Sequence, residues 1–520
     1  MKPGPRTKKE PGASAGRTAG LGFRATLLLA VLLVILVAGA CSDTVKSVAA
    51  DWYHRRARAA AEEGRLEKSV EYFTKAIELK PDFIAAYYDR GTVLRDLGEY
   101  DRAREDFSQA IRLKPDLAEA WLERGDIYRL IKDYEKAEAD YSKAVELKPG
   151  LQEAWFYRGV VRQHLDRLDA ALDDYNQAIE LNPLHTDAYN NRAGIWDDQG
   201  EYGKALADYA AALDLDPFFT PAYQGRGTVY YHLEDYPRAV AEYTEAAGLE
   251  PRNAEIRLCL GLARLKMKAL DEALADFNQA VELKPAYPEA LHARASAWEE
   301  KREFKRALAD YDLALAADPG YLAGYRARAD LLWKLGQFEQ AEADYTKALE
   351  LAPEDAGTYS RRGGVRLALA DLDGALADCN KALKLEAGLA GAYRYRGQVL
   401  VEKGEYEKAR ADLEKAAEIE PESAEVLNDL AWLLAACPDP AFRDGEKAAW
   451  LAEKAVELDP GRPEYLDTLA AAYAETGRLA EAVGVQKKAV DLARKLGLVK
   501  LLKEMEARLA ELERKAGAGQ

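Results

Sequence analysis

Asp116 to Pro149, DLAEAWLERGDIYRLIKDYEKAEADYSKAVELKP, is a 34-residue stretch that returns with small changes along most of the chain. Prolines stand at 81, 115, 149, 183, 217, 251, 285, 319 and 353, always 34 apart; Ala387 takes the next place and Pro421 resumes the series. So regular a period means one supersecondary unit per repeat. A single unit cannot bury its own apolar face, whereas stacked units share one continuous core. With the proline as position 32, thirteen units run over 50–496.

Each unit reads as two helices. In the quoted stretch, Ala118–Leu130 and Tyr134–Leu147 place apolar residues at three- and four-residue intervals, the spacing of one helix face. Position 8 is Gly or Ala throughout, as at Gly91, Gly125, Gly159 and Ala193, and positions 20 and 27 are almost always Ala. Small side chains let two helix axes approach closely, and an aromatic at position 24 (Phe107, Tyr141, Tyr175, Tyr209) fills the space beside them. Where it gives way to Cys379, Leu413 and Ala452, looser packing is expected. Gly98, Gly200, Gly336, Gly404 and Gly477 sit where the first helix must end in a left-handed residue. The proline then stops the second helix.

Position 7 carries a second signal. Arg90, Arg124, Arg158, Arg192, Arg226, Arg294, Arg328, Arg362 and Arg396 are each followed 16 residues later by an acid: Asp106, Asp140, Asp174, Asp208, Glu242, Asp310, Asp344, Asp378 and Asp412. The spacing predicts a ladder of bidentate Arg–carboxylate pairs between the two helices of a unit. Leu260 interrupts it and leaves Asp276 without its arginine.

Small at 8, Ala at 20 and 27, aromatic at 24 and Pro at 32 together resemble the tetratricopeptide repeat, with Arg at position 7 departing from the Leu common there. The resemblance implies an all-α solenoid, a right-handed superhelix of about thirteen antiparallel helix pairs whose first (A) helices line a concave groove. In that family, groove contacts come from A-helix positions 2, 5, 9, 12 and 13. Here these include Tyr88, Arg95, Phe156, Asn190, Asp197, Tyr231, Arg326, Trp333 and Arg394. The Lys/Asn clamp that chaperone-binding members use for a terminal carboxylate is missing, since position 5 is never Lys and position 9 never Asn. Unit twelve carries a long loop at 437–445, which resembles the penultimate repeat of bacterial, planctomycete-like repeat proteins. Residues 497–520 read as a capping helix and a disordered tail.

The head is of another kind. Residues 1–24 are basic, Ala25 to Val37 carry no charge, and Ala38-Gly39-Ala40-Cys41 follows. Basic region, apolar core and small residues are the parts of an export signal. The run into Cys41 resembles the lipobox of bacterial lipoproteins, which implies a lipid on Cys41. An uncleaved signal anchor at the short end of membrane-spanning length is the alternative. Both put the repeats outside the cytoplasm, in the cell envelope. Residues 42–49 read as a short linker.

Composition narrows the function. The chain carries a net charge of −17, and residues 41–520 carry −22 (67 Lys/Arg against 89 Asp/Glu). That balance disfavours a phosphate backbone as partner. Neither CxxC nor HExxH nor a phosphate loop occurs, and the five histidines are scattered. No enzyme activity, cofactor, metal, nucleic acid or small-molecule substrate is expected. The expected function is a membrane-tethered scaffold that gathers envelope proteins in its groove; the alternative is an accessory subunit of an envelope enzyme or secretion complex.

Overall fold

The computed structural model describes residues 43–518, all helix apart from turns, with no strand among the described residues. Cys41 and the rest of the expected export signal lie outside them. Two compact units divide the chain, Met1–Leu249 and Glu250–Gln520. The first contains six helix pairs among its described residues, from Asp43–Glu62 with Leu66–Leu79 to Thr220–His232 with Tyr236–Leu249. The second contains seven, from Ala254–Lys266 with Leu270–Leu283 to Pro463–Glu475 with Leu479–Lys495, and a last helix Val499–Ala518.

The quoted repeat shows why the pairs form. Its B helix ends at Leu147 because Lys148 precedes a proline, whose ring excludes the helical conformation there. Lys148 turns extended (φ −140°, ψ 82°) while its N–H still reaches the Ala144 carbonyl. Across the pair, a Cβ on Gly125 would lie 2.8 Å from the Tyr141 ring. Gly91 with Phe107, Gly159 with Tyr175 and Gly227 with Tyr243 repeat that approach at the same distance. The small residue at position 8 is therefore a seat for the aromatic at position 24.

Packing does not loosen where the aromatic lapses. A Cβ on Gly363 would meet the Cys379 sulfur at 2.8 Å, and one on Gly397 would meet Leu413 Cγ at 2.8 Å. Leu413 and Ala452 lie in an apolar cluster with Leu427, Leu430, Leu434 and Tyr465. Extra leucines from the A helix Ala424–Ala436 supply the volume that the ring would have filled.

Turns between A and B helices use a left-handed residue in every repeat but the twelfth. Glycines at 98, 200, 336, 404 and 477 take φ between 73° and 80°. Six other repeats force the same conformation on Lys132, Asp166, Glu234, Lys268, Arg302 and Ala370, with φ from 58° to 63°. A side chain there costs about 1–2 kcal/mol. Glu234→Gly and Arg302→Gly should thus each stabilise their repeat by roughly 1 kcal/mol. Amide hydrogen exchange in the flanking helices reads this as slower local opening; unchanged or faster exchange counts against it.

The ends depart from expectation. Residues 43–49 are not a linker but the first turns of Asp43–Glu62, since nothing in DTVKSVA breaks a helix. The long loop of repeat twelve holds a short 3₁₀ turn, Pro440–Phe442, and closes at Gly445, where the Asp444 side chain accepts from the Lys447 N–H. The last helix runs from Val499 to Ala518 and so takes up nearly all of the stretch read as cap and tail. Its Met505 and Leu512 are buried.

Candidate functional site

Along part of each unit the A helices of neighbouring repeats pack directly on one another. Thr186–Asp198 meets Thr220–His232 in the first unit, and Ala390–Glu402, Ala424–Ala436 and Pro463–Glu475 make a continuous row in the second. The B helices do not approach one another to a comparable degree. The A helices therefore form the inner row, and their free faces are where a partner could lie.

Beneath that face runs the arginine ladder. Arg124 donates from Nε and Nη2 to the two oxygens of Asp140, both at 2.7 Å, and from Nη1 to Ser108 Oγ at 3.1 Å. Its guanidinium lies 4.8 Å from the centre of the Trp121 ring. Arg90 does the same with Asp106, Thr74 and Tyr87. Arg192, with Asp208, Asn176 and Tyr189, and Arg362, with Asp378, Thr346 and Tyr359, follow suit. Arg158 pairs with Asp174 and reaches Ser142. Every such arginine thus joins its own B helix to the B helix of the repeat before. The third partner, 16 residues upstream at position 25, escaped sequence reading because it alternates among Thr, Ser, Asn and Asp. All that the bond requires there is an acceptor oxygen.

Two rungs differ. At Arg226 the upstream place holds Ala210 and the acid is Glu242; one contact remains at 2.8 Å, and Arg226 Nε is buried without a hydrogen-bond partner. Asp276, expected to lack an arginine, has two: Arg264 Nη1 at 2.5 Å and Arg257 Nη1 at 3.6 Å. Arg264 stands at position 11, one turn beyond Leu260, and reaches the same carboxylate from there. Arg162 and Arg366 use that route as second partners of Asp174 and Asp378. Burial raises the carboxyls of Asp106, Asp140, Asp174 and Asp276, with their arginines pulling them back. At its regular rungs the ladder holds arginines and carboxylates on one another between the packed helices.

The nine groove residues take varied places. Tyr88 lines a cleft of about 380 Å³ with Asp89, Lys114 and Glu119. Arg95 is held by Asp96 and by Glu123 of the next repeat. Phe156 is only 9% exposed, packed on His185 and Tyr175, and presents little to a partner. Asn190 leaves its Oδ1 buried without a hydrogen bond. Asp197 faces His232 Nδ1 at 3.0 Å, and Tyr231 meets Tyr236 edge to face.

In the second unit, Arg326 bonds Thr358 at 3.1 Å and Asp355. Trp333 reaches past repeat ten to Tyr395, with ring centres 5.7 Å apart. Gly364 lies beneath, where a Cβ would come within 2.8 Å of both rings. Tyr395 in turn lies 4.7 Å from Arg394, which pairs with Glu425. The structure thus joins Trp333 to Arg394 through Tyr395. Gly364, Tyr395, Gln398, Asp429 and Trp432 were missed. Only Gly at position 9, bare where the neighbours carry Asp330 and Gln398, could have signalled the aromatic closure.

No group of three His, Cys, Asp or Glu placed to hold a metal occurs among the described residues, and no helix among them is long and apolar enough to cross a membrane.

Models described as "Tetratricopeptide repeat" match residues 50–83, 88–151, 153–184, 186–219, 225–288, 270–321, 323–355 and 464–496, and one described as "TPR repeat" matches 397–436. No curated protein matches the chain significantly. Among solved structures it is similar to a chain of the APC/C hetero-tetramer Cut9-Hcn1, at 16% identity over 81% of this chain and 96% of that one, with a TM-score of 0.42. Yeast Tom70 is 19% identical over 84% and 97%, with a TM-score of 0.39. YrrB, "a TPR protein with an unusual peptide-binding site", is 26% identical over 35% and 94%, with a TM-score of 0.32.

Proposed function

We propose that this chain, which belongs to the tetratricopeptide repeat family, is a non-catalytic scaffold that binds partner proteins or peptides along its inner row of A helices. One observation carries the reading. Packing positions 8, 20 and 27 are nearly invariant from repeat to repeat, while the free A-helix face changes every time, from Tyr88 through Asn190 to Arg326 and Arg394. Shared packing with local variety is what recognition on a fixed scaffold requires. The acidic body suits partners with basic segments.

The finer reading is a scaffold tethered to the membrane through a lipidated Cys41, with its repeats outside the cytoplasm, gathering envelope proteins. It rests on the basic, apolar and small-residue series that ends at Cys41. An accessory role in one envelope enzyme or secretion complex is the second reading, and the same surface serves it. Crosslinked capture on the full chain, compared with a Trp333→Ala, Arg394→Ala double variant, separates them. Several unrelated proteins lost together in the variant support the scaffold, and one stoichiometric complex the accessory role. Capture that the variant leaves intact counts against the groove. Mass spectrometry of the mature N-terminus tests the tether: a diacylglyceryl-modified Cys41 supports it, and an intact Met1 overturns lipidation.

A further inference from the structure

On the inner face of repeats ten to twelve lies a cleft of about 450 Å³. Leu367, Val401 and Leu433 give it aliphatic walls, Trp432 borders it, and Asp429 and Glu402 are its acids. Such a lining mixes a long apolar surface with a negative end. Asp429 is 19% exposed, accepts from Gln398 Nε2 at 2.7 Å, and stands 3.7 Å from Arg394 Nε. That arginine is already engaged by Glu425 and the Tyr395 ring, so it neutralises Asp429 only in part. Burial outweighs it and pushes the Asp429 carboxyl up to about 6. A desolvated carboxylate of this kind gains from a further cation.

The indole points the same way. Trp432 is 36% exposed, and the guanidinium of Arg508 lies 5.0 Å from its ring while pairing with Asp467. Here the chain itself holds a cation between an aromatic face and a carboxylate. The neighbouring cleft offers the same two elements, the same indole with Asp429, and no basic side chain among its lining residues.

We propose that this cleft receives one lysine or arginine side chain of a partner peptide, its aliphatic stem along Leu367, Val401 and Trp432 and its cationic head on Asp429, with Glu402 at the rim. Long basic side chains bury their stems and keep their charge at a polar end, and the lining matches that division. A net charge of −17 favours the approach of such a partner. The inference rests on the groove reading above and names the chemistry of one of its sites.

The test uses the full chain and a displayed library of random twelve-residue peptides. Wild-type protein should enrich peptides with Lys or Arg between aliphatic residues. In calorimetry at pH 7.5, replacing that Lys by norleucine should weaken binding about tenfold, as should Asp429→Asn in the protein, and the two changes together should cost little more than either. Glu402→Gln should have a smaller effect. Arg394, Tyr395, Glu402, Glu425 and Tyr465 surround Asp429. With these fixed, affinity should fall about tenfold from pH 7.5 to pH 5 as Asp429 takes up a proton. Peptides that bind equally well with norleucine, or that ignore Asp429→Asn, overturn this assignment and leave the groove reading standing. A library that yields no binder to the wild-type chain overturns both.

Discussion

Asp174→Ala should destabilise repeats three to five by about 3–5 kcal/mol, among the largest single losses in the chain. Asp174 is almost completely buried. It accepts from Arg158 Nη2 at 2.7 Å and Nε at 3.0 Å, and from Arg162 Nη1 at 2.9 Å. Removing the carboxylate leaves the Arg158 guanidinium buried with only Ser142 Oγ at 3.3 Å and the Trp155 ring for company. The cost is that of the stranded charge rather than of the pair itself. The triple replacement Arg158→Met, Arg162→Leu, Asp174→Leu should therefore recover most of the loss. Stacked repeats need not unfold in one step, so hydrogen exchange resolved by repeat is the proper measurement. Protection within about 1 kcal/mol of wild type in Asp174→Ala would falsify the energetic role of the rung.

Tyr141→Ala should cost a similar 3–5 kcal/mol. The ring is fully buried on Gly125, and its hydroxyl donates to Asp126 at 2.7 Å and accepts from Arg129 Nε at 3.3 Å. Alanine leaves a cavity between helices whose other contacts are fixed by Ala137 and Ala144, which have nothing with which to fill it. Tyr141→Phe keeps the volume and loses only the hydroxyl bonds, about 1 kcal/mol. Gly125 cannot compensate: any side chain added to it meets the ring in the wild type. Denaturant sensitivity of Ala118–Leu147, read by exchange, checks both variants; a Phe variant as unstable as the Ala variant would assign the effect to the hydroxyl instead.

Reading the chain in sequence caught what repeats and missed what does not. Gly125, Ala137, Tyr141, Ala144 and Pro149 recur with the period, and the helix pair they describe is the one observed. Arg124 and Asp140 were legible for the same reason. Asp276 was misjudged because its arginine moved to position 11, where three-dimensional reach replaces register. Phe156 was offered to the groove by its position, yet His185 at the next repeat junction covers it. The cleft at Asp429 was invisible for a further reason. Its walls come from three repeats, and Asp429 stands at position 6, outside the family's usual groove positions. Contacts between neighbours of unlike sequence leave no period to read.

The sixteen-residue step of the ladder has a consequence for how such a chain can change in length. In the regular rungs each arginine takes one partner 16 residues behind it and another 16 ahead, so these rungs straddle a repeat boundary. Cutting out 34 contiguous residues within the regular run removes either one whole rung or parts of two, and in the second case the remaining halves come together. The upstream Ser, Thr or Asn of one copy then meets the arginine of the next but one, in the same geometry. A duplicated segment closes its junction in the same way. The bonds that stiffen the stack are thus indifferent to where in the repeat a recombination break falls, and the number of repeats can drift while the register of every joint is kept.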